Sequence, residues 1–300
     1  MKIDVSVISD AGAFLREFNS QCAKIAKRDR SGWLKKCKDW QAKYPVALPE
    51  YWNDRGFVND YVLIDVLSDE LSGNDLLIPG SSGACSERTL QGIKIKTGLR
   101  IFNSQGFGSM GFGLPAAIGG CIASGRRRTI CIEGDGGFVM NAQELETVKR
   151  LGLPIKVFVL NNGGYGSIQM TQKNYFGGHY VASTPSSGLS LPDVPAVSKA
   201  FGIPAASIAD HARIREQVRE ILETEGPVVC DVIVSPQQVT APRVSSRQLK
   251  DGSMVSMPME DMWPSLDREE LAVNMLIPMQ EQIRALGGNG TQSTEPEKCR

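Results

Sequence analysis

The chain has 300 residues, 41% of them hydrophobic, which is enough to bury one or two ordinary cores. Basic and acidic residues number 33 each, so no overall charge favours nucleic acid or an anionic membrane as a partner. The longest apolar runs are shorter than the roughly 20 residues of a membrane span, and MKIDVSVISD lacks the apolar core of a signal peptide. Seven cysteines without a CxxC pair indicate reduced thiols, so we expect a cytoplasmic protein.

The first 55 residues are expected to form short strands and a helix, and to end in a polar stretch that contains aromatic residues. GAFLREF has helical spacing, and WLKKCKDWQAKYP places Trp33, Lys36 and Trp40 on one side of a helix that breaks at Pro45. The segment precedes a clear change of pattern near Val58, so it is treated as a separate region.

From there, helical and β-rich segments alternate. VNDYVLIDVLSDEL has the spacing of an amphipathic helix, with Val62, Val66 and Leu67 on its apolar face. DLLIPGSSG predicts a buried strand and a turn, and RTICIE, PIKVFVL and GPVVCDVIVS have the uniformly apolar pattern of strands covered on both faces. The helical patterns between them are LPAAIGGCIAS, NAQELETVKRLG, VPAVSKAFG and RIREQVREILETEG. This alternation predicts an α/β fold, a doubly wound and mostly parallel sheet with helices on both faces.

These patterns divide the chain into four segments. Residues 1–55 precede the α/β domain, which spans residues 56–240. Residues 241–285 are expected to form a C-terminal extension that packs on this domain, and residues 286–300 to be disordered. Inside the domain, the Gly-, Ser- and Pro-rich stretch 174–195 is long for a simple connection and predicts an active-site loop.

The sequence GFGSMG at 106–111, the glycine loop, matches the G-x-G-x-x-G pattern of dinucleotide sites. Glu133 ends a strand about twenty residues later, where such a site places the acid that holds the ribose. One hypothesis is therefore an NAD(P)- or FAD-binding oxidoreductase. Two features disfavour it: the strand before the glycines is short and polar at its end, and neither His179 nor His211, the only histidines, has a recognisable hydride-transfer setting.

A second signal comes from two motifs that each follow a strand. GDG at 134–136 comes directly after TICIE, and Asn-Asn at 161–162 closes PIKVFVL. Residues 137–160 should form a crossover with one helix, for which Asn141 and Glu144 suggest a capping box. Both motifs then emerge at the carboxyl ends of adjacent parallel strands, where open α/β sheets bind ligands.

The residue types in these motifs suit a metal–diphosphate complex. Mg²⁺ prefers octahedral oxygen coordination shared between phosphates, a carboxylate and neutral oxygens. Asp135 would supply the carboxylate, Asn162 a side-chain carbonyl and Gly164 a backbone carbonyl. Three glycines would let the main chain approach the phosphates closely: Gly134, Gly136 and Gly137. Taken alone, the first motif is explained by a tight β–α turn with a capping aspartate and the second by an Asn-rich turn. The two motifs together, at this spacing, favour the metal–diphosphate site.

Together the motifs resemble the signature of thiamine-diphosphate enzymes, and their surroundings resemble the acetolactate-synthase-like family. GSMGFGLPAAIG is similar to that family's stretch around its cofactor-bending methionine, and GDGGFVMNAQELETVKRLGLPIKVFVLNNGGYG to its metal-binding core. The similarity covers about residues 58–235, while residues 1–55 resemble the end of the family's middle domain. The resemblance implies that the chain is the C-terminal, diphosphate-binding half, which binds thiamine diphosphate and Mg²⁺; FAD binding stays open, because it concerns the middle domain.

The resemblance also implies roles for individual residues. Met110 would lie beneath the thiazolium and force the bent cofactor shape, and the carbonyl of Gly108 would accept from the 4′-amino group that removes the C2 proton, so these two are the predicted catalytic residues. Residues 82–85 occupy the place of the second diphosphate loop, without the family's Gln-His pair. The implied cofactor-binding set is Ser82, Gly83, Ala84, Cys85, Gly108, Met110, Gly134, Asp135, Gly136, Gly137, Asn162, Gly164 and Tyr165.

Two departures from the family shape the expected function. Family members are about twice as long and begin with a pyrimidine-binding domain, whose glutamate protonates the cofactor at N1′; nothing before Asp60 resembles it. We therefore expect this domain to come from another chain, or the protein to be a homo-oligomer, with an apolar face near residues 80–115 exposed for association. Acetolactate synthases have a tryptophan in the acceptor pocket, and its place in this sequence is at or near Thr171. The missing tryptophan favours decarboxylation and carboligation with another 2-oxo acid or an aldehyde. A truncated, non-catalytic cofactor-binding fragment is the alternative.

Overall fold

A computed structural model describes residues 3–80, 83–248 and 254–277 of the chain. The chain divides into two compact units, Met1–Pro45 and Val46–Arg300. The helices are α1 (Ala11–Gln21), α2 (Ser31–Lys43), α3 (Asp60–Glu70), α4 (Thr89–Gly92), α5 (Gly113–Ala123), α6 (Asp135–Met140), α7 (Leu145–Leu151), α8 (Gly166–Tyr175), α9 (Val194–Ala200), α10 (Ile214–Glu223) and α11 (Arg268–Asn274). The strands are β1 (Leu76–Pro79), β2 (Arg100–Ile101), β3 (Thr129–Gly134), β4 (Ile155–Asn161), β5 (Ala205–Ile208), β6 (Val228–Ile233), β7 (Ser246–Gln248) and β8 (Met254–Ser256).

The first unit consists of α1 and α2. In α2 the rings of Trp33 and Trp40 lie 5.8 Å apart, and the Lys36 ammonium lies 4.9 Å from the Trp40 ring centroid, which confirms the shared face predicted from their spacing. The expectation of short strands was wrong for the described residues up to position 55, which contain none. The apolar side chains near the N-terminus, such as that of Ile8, are exposed, and among the described residues no second strand pairs with the backbone there.

The second unit is built on a six-stranded, entirely parallel sheet with the order β2-β1-β3-β4-β6-β5. Strands β3 and β4 are central and neighbouring, and Gly134 pairs with Leu160 at their carboxyl ends. One apolar cluster covers each face of the sheet: alternate residues of β3 contribute to opposite clusters, with Ile132 in one and Cys131 in the other. The predicted doubly wound α/β fold is therefore confirmed.

Helix α3 is less amphipathic than its sequence suggests. It is buried at Tyr61, Val62, Leu63, Ile64, Val66, Leu67 and Ser68. The reason is that α3 lies between the sheet cluster on one side and α4 and α10 on the others. An apolar helix of this kind is buried almost all round.

The connection after the GDG motif also differs from the prediction. Instead of one helix starting at Asn141, α6 starts directly at Asp135, a 3-10 turn follows at Ala142–Glu144, and α7 completes the crossover. Asn141 makes no capping hydrogen bond, so the expected capping box is wrong. Because Asn141 lies at the break between two helices, its Nδ2 is free to donate to the carbonyl of Gly111 at 2.8 Å, in the glycine loop.

The C-terminal part of the second unit contains the β7–β8 hairpin and α11. Arg243 and Trp263 exchange backbone hydrogen bonds of 2.9 and 2.8 Å, and the Arg243 guanidinium lies 5.2 Å from the Trp263 ring centroid. The tail predicted to be disordered, 286–300, lies outside the described residues. Among the described residues, no helix combines the length and hydropathy that crossing a membrane requires. The six described cysteines are free thiols; Cys22 is exposed, Cys37 half-buried and the other four buried.

Candidate active site at the carboxyl edge of the sheet

The two motifs meet where β3 and β4 end. The carboxylate of Asp135 accepts a hydrogen bond from the amide of Gly136 at 2.7 Å through Oδ1 and from the amide of Gly164 at 3.0 Å through Oδ2. The Gly164 amide also donates to Asn162 Oδ1, at 3.2 Å. The amide of Gly164 therefore links the three metal ligands predicted from the sequence, since it donates to both Asp135 and Asn162.

The electrostatic setting of Asp135 is unusual for a buried acid. Its exposed fraction is 4%, and burial raises the pKa of its carboxyl to about 6 in spite of the backbone N–H groups that oppose the shift. In the described part of the chain, no lysine, arginine or histidine forms an ion pair with it. A buried carboxylate without a counter-ion is costly, and a bound cation would supply that charge.

The donor set fits a magnesium–diphosphate complex better than a metal held by protein alone. Across the described residues there is no group of three or more His, Cys, Asp or Glu side chains that could hold a metal ion. One carboxylate with neutral amide and carbonyl oxygens leaves most coordination positions to water and phosphate, which is how Mg²⁺ is usually bound. The residues present therefore fit the group that the motifs imply.

Gly136 lies against two other predicted site residues, Tyr165 and Met110. A methyl group on its Cα would overlap the ring of Tyr165 and lie 3.4 Å from Met110 Cε. Tyr165 itself is fixed by its amide, which donates to the carbonyl of Ser183 at 3.1 Å. The residue here must therefore be glycine for Tyr165 and Met110 to approach the GDG motif so closely.

The glycine loop carries Met110 and Gly108 to this point. Its backbone is left-handed at Gly108 (φ 61°) and Gly111 (φ 79°), a conformation that residues with a Cβ rarely adopt. The amide of Gly108 donates to the carbonyl of Ser104 at 3.0 Å, which closes the turn. Met110 is half-buried, so its side chain lies at the boundary between the protein and the open edge of the sheet.

The loop after β1 is the remaining predicted part of the site. Ser82 lies outside the described residues, Gly83 is left-handed (φ 48°), and Ala84 begins a single helical turn. Cys85 is buried, and its Sγ would lie 3.6 Å from a methyl group on Gly134. Burial, together with the neighbouring carboxylate of Glu133, raises the pKa of the Cys85 thiol, so it stays protonated and is not a nucleophile.

The dinucleotide hypothesis does not agree with this geometry. Glu133, the candidate ribose ligand, is buried, and its carboxylate points to the amide of Gly113 at 2.7 Å rather than to the open edge. The strand before the glycine loop, β2, has two residues and does not lead directly into it, as a dinucleotide site requires. We expect no saturable NAD(H) or NADP(H) binding in a fluorescence titration.

Sequence reasoning missed the contacts of Ser183. This residue is buried in the loop that follows α8, within the stretch predicted as an active-site loop, and its carbonyl accepts from Tyr165 and from Gln169 Nε2 at 2.7 Å. A methyl group on Gly164 would lie 2.6 Å from the same carbonyl. The loop is therefore hydrogen-bonded to the segment that directly follows the predicted metal ligand Gly164. Its length was the only signal in the sequence.

Apolar side chains are exposed in the part of the chain between β1 and α5. They include Leu90, Ile95, Phe102 and Phe107, the last 92% exposed. They fall within the 80–115 region for which the sequence predicted an exposed apolar face.

Sequence comparison places these features in a family. The model of the family "Thiamine pyrophosphate enzyme, C-terminal TPP binding domain" matches residues 81–232. The acetolactate synthase large subunit of Parasynechococcus marenigrum (strain WH8102) is 29% identical over 259 residues, which cover 86% of this chain and 40% of that protein. Acetolactate synthase 2, chloroplastic, of Nicotiana tabacum is 31% identical over 250 residues, 81% of this chain and 37% of that protein. The chain thus spans about 40% of the length of the curated relatives it matches.

Proposed function

The chain belongs to the thiamine pyrophosphate enzymes, whose C-terminal TPP-binding domain it carries in an acetolactate-synthase-like form, and on that premise we propose that it binds thiamine diphosphate with Mg²⁺ at the carboxyl edge of its sheet and acts on a 2-oxo acid. The convergence of Asp135, Asn162 and Gly164 on one another carries this proposal. FAD, which the sequence left open, gains no support from the matched domain.

The residues that would hold the metal are Asp135 through its carboxylate, Asn162 through its side-chain oxygen and Gly164 through its carbonyl. The start of α6 would lie against the phosphate oxygens, because the amino end of a helix favours negative charge. Met110 would support the cofactor from below, and the carbonyl of Gly108 would accept from its amino group. Bound thiamine diphosphate supplies the electron sink that decarboxylation of a 2-oxo acid needs.

Catalysis needs an acid beside the cofactor's pyrimidine ring, and the two acids that the structure describes at the candidate site, Glu133 and Asp135, already have other partners. Their carboxylates both accept hydrogen bonds from backbone N–H groups. We propose that a pyrimidine-binding domain from another chain, or from a further copy of the whole protein, provides this acid. The exposed apolar side chains of the 80–115 region are the surface on which it would pack.

Substrate choice is the finer part of the proposal. Thr171, at or near which the resemblance places the family's acceptor-pocket tryptophan, lies on α8, and its hydroxyl donates to the carbonyl of Ser167 at 3.1 Å. A threonine fills much less of a pocket than an indole does. This supports carboligation with an acceptor other than that of acetolactate synthase.

Pyruvate turnover by the purified chain with thiamine diphosphate and Mg²⁺ tests the proposal, measured alone and with a pyrimidine-domain chain added. We expect no turnover alone, and turnover on the order of 1–10³ per second when the second chain completes the site. Turnover of that size by the chain alone would show that it already contains the acid. Cofactor binding without turnover in any mixture would favour the non-catalytic alternative.

A further inference from the structure

Glu133 is a buried acid to which the proposed function assigns no role. It is the penultimate residue of β3 and 3% exposed. Its Oε2 accepts from the amide of Gly113 at 2.7 Å, and its Oε1 from the amide of Gly134 at 3.2 Å. Among the described residues no cation forms an ion pair with it, so backbone amides alone hold the carboxylate in place.

Three glycines from three different segments form the slot around this carboxylate. They are Gly80 at the end of β1, Gly113 at the start of α5 and Gly137 in α6, and a methyl group on any of them would overlap the Glu133 carboxylate. The side chain therefore touches three of the segments that surround the candidate site. Its position is fixed by packing and not only by hydrogen bonds.

The contact with Gly113 also completes α5. This helix has no cap of its own, because Phe112 at its N-cap makes no side-chain hydrogen bond and its first turn contains no acid. The first amides of a helix need acceptors, and a negative charge there is favoured by the helix dipole. Glu133 supplies both from the neighbouring strand, and α5 begins three residues after Met110.

We propose that Glu133 is a positioning residue that sets the distance between the glycine loop, which carries Met110, and the GDG motif, which carries Asp135. The link is short on both sides: Met110 is three residues before Gly113, and Asp135 is two residues after Glu133. A ligand that touches both segments depends on this distance, whereas a ligand that touches only the GDG motif does not. The inference rests on the proposed function, since thiamine diphosphate is the ligand that would span both.

Two probes separate these cases: thiamine diphosphate, which would reach both segments, and inorganic pyrophosphate, which would reach only the GDG motif. Each is titrated calorimetrically with Mg²⁺ into the wild-type chain and into Glu133→Gln, which keeps the shape but loses the charge and one acceptor. We expect thiamine diphosphate affinity to fall about tenfold, the worth of one good hydrogen bond. Pyrophosphate affinity should stay within about threefold.

Asp75→Asn is the matched control, because Asp75 is another buried carboxylate but lies at the opposite edge of the sheet. It should lower stability and leave both affinities unchanged. If Glu133→Gln does not fold, the two affinities are compared in Glu133→Asp instead, which keeps the negative charge but has a side chain shorter by one methylene group.

Equal losses for both probes, or no loss for thiamine diphosphate, would overturn the positioning role while leaving the proposed function intact. A wild-type chain that binds pyrophosphate but not thiamine diphosphate would overturn the proposed function and the positioning role with it.

Discussion

The strands of the central sheet begin at one end, which we call the amino edge, and finish at the other, the carboxyl edge. The two edges hold their buried charges in opposite ways. At the amino edge, Asp75 accepts from Arg128 Nε and Nη2 at 2.8 and 2.7 Å, and the Lys156 ammonium donates to the carbonyls of Thr224 and Gly226. Each charge there meets an opposite charge or the carbonyl groups that follow a helix. At the carboxyl edge, Glu133 and Asp135 receive only backbone N–H groups.

We interpret this difference as a division of roles within one sheet, in which the amino edge stabilises the fold and the carboxyl edge binds the ligand. At the amino edge the charges of Asp75 and Lys156 have partners within the protein: Arg128 for the first, and backbone carbonyls for the second. The carboxyl edge keeps two buried negative charges without a cation side chain among the described residues, and burial raises the pKa of both carboxyls. Such an arrangement is unfavourable for the protein alone and becomes favourable when a ligand brings positive charge.

The largest effect that would test the independence of the two edges comes from Arg128→Met, which leaves the Asp75 carboxylate buried without its partner. We expect a loss of about 3 kcal/mol in the free energy of unfolding, measured by urea denaturation. The affinity for thiamine diphosphate and Mg²⁺ should be unchanged in calorimetry at a temperature where the variant is folded. The exposed neighbour Arg127→Met is the control and should change neither quantity. Weaker cofactor binding by Arg128→Met would show that the edges are coupled.

A smaller effect is expected from Gly136→Ala at the carboxyl edge. The added methyl group would displace the Tyr165 ring and press on Met110. Because both side chains are predicted to line the cofactor site, we expect roughly thirtyfold weaker cofactor binding, which corresponds to about 2 kcal/mol of binding free energy. Gly119→Ala on α5 is the matched control, since its methyl group meets no atom within 4 Å and should stabilise the helix slightly. Equal affinity in both variants would remove Tyr165 and Met110 from the site.

The smallest effect concerns Lys156 at the amino edge. Burial, aided by the charge of Arg128, lowers the pKa of its ammonium to about 8. Between about pH 8 and pH 10 the unfolded chain therefore binds more protons than the folded chain, so this group makes stability rise with pH. Lys156→Met should remove a rise on the order of 1 kcal/mol from urea denaturation curves measured across that range. Lys199→Met, the loss of an exposed lysine, is the control; parallel curves for wild type and Lys156→Met would contradict the shift.

Much of the fold could be predicted because its central strands are uniformly apolar. Strands β3, β4 and β6 carry long β-branched runs, and the GDG and Asn-Asn motifs follow two of them directly. Strand β5 was not predicted, because Ala205–Ile208 is too short and too mixed to show a period. It lies at one side of the sheet, where pairing with the neighbouring strand β6 determines its structure.

The candidate site shows the same limit. The ligand types at Asp135 and Asn162 could be inferred because one strand pairing brings their motifs together. The contacts of Asn141 with Gly111 and of Glu133 with Gly113 join residues about twenty to thirty positions apart, and neither is implied by a local pattern. The same is true of Ser183, whose carbonyl meets the Gly164 and Tyr165 segment through a fold of the long loop. Local patterns identify the chemical groups, but long-range packing determines which of them meet.

The proposed role of the carboxyl edge is tested most directly by calorimetric titration of thiamine diphosphate into the wild-type chain and Asp135→Asn, each with Mg²⁺ and with EDTA. The wild-type chain should bind saturably only with Mg²⁺. Because Asp135 would be the one charged protein ligand of the metal, Asp135→Asn should weaken this binding at least a hundredfold, about 2.8 kcal/mol, while circular dichroism shows a folded chain. Equal affinity in the two proteins, or equal affinity with and without Mg²⁺, would contradict the assignment of a metal–diphosphate site to this edge.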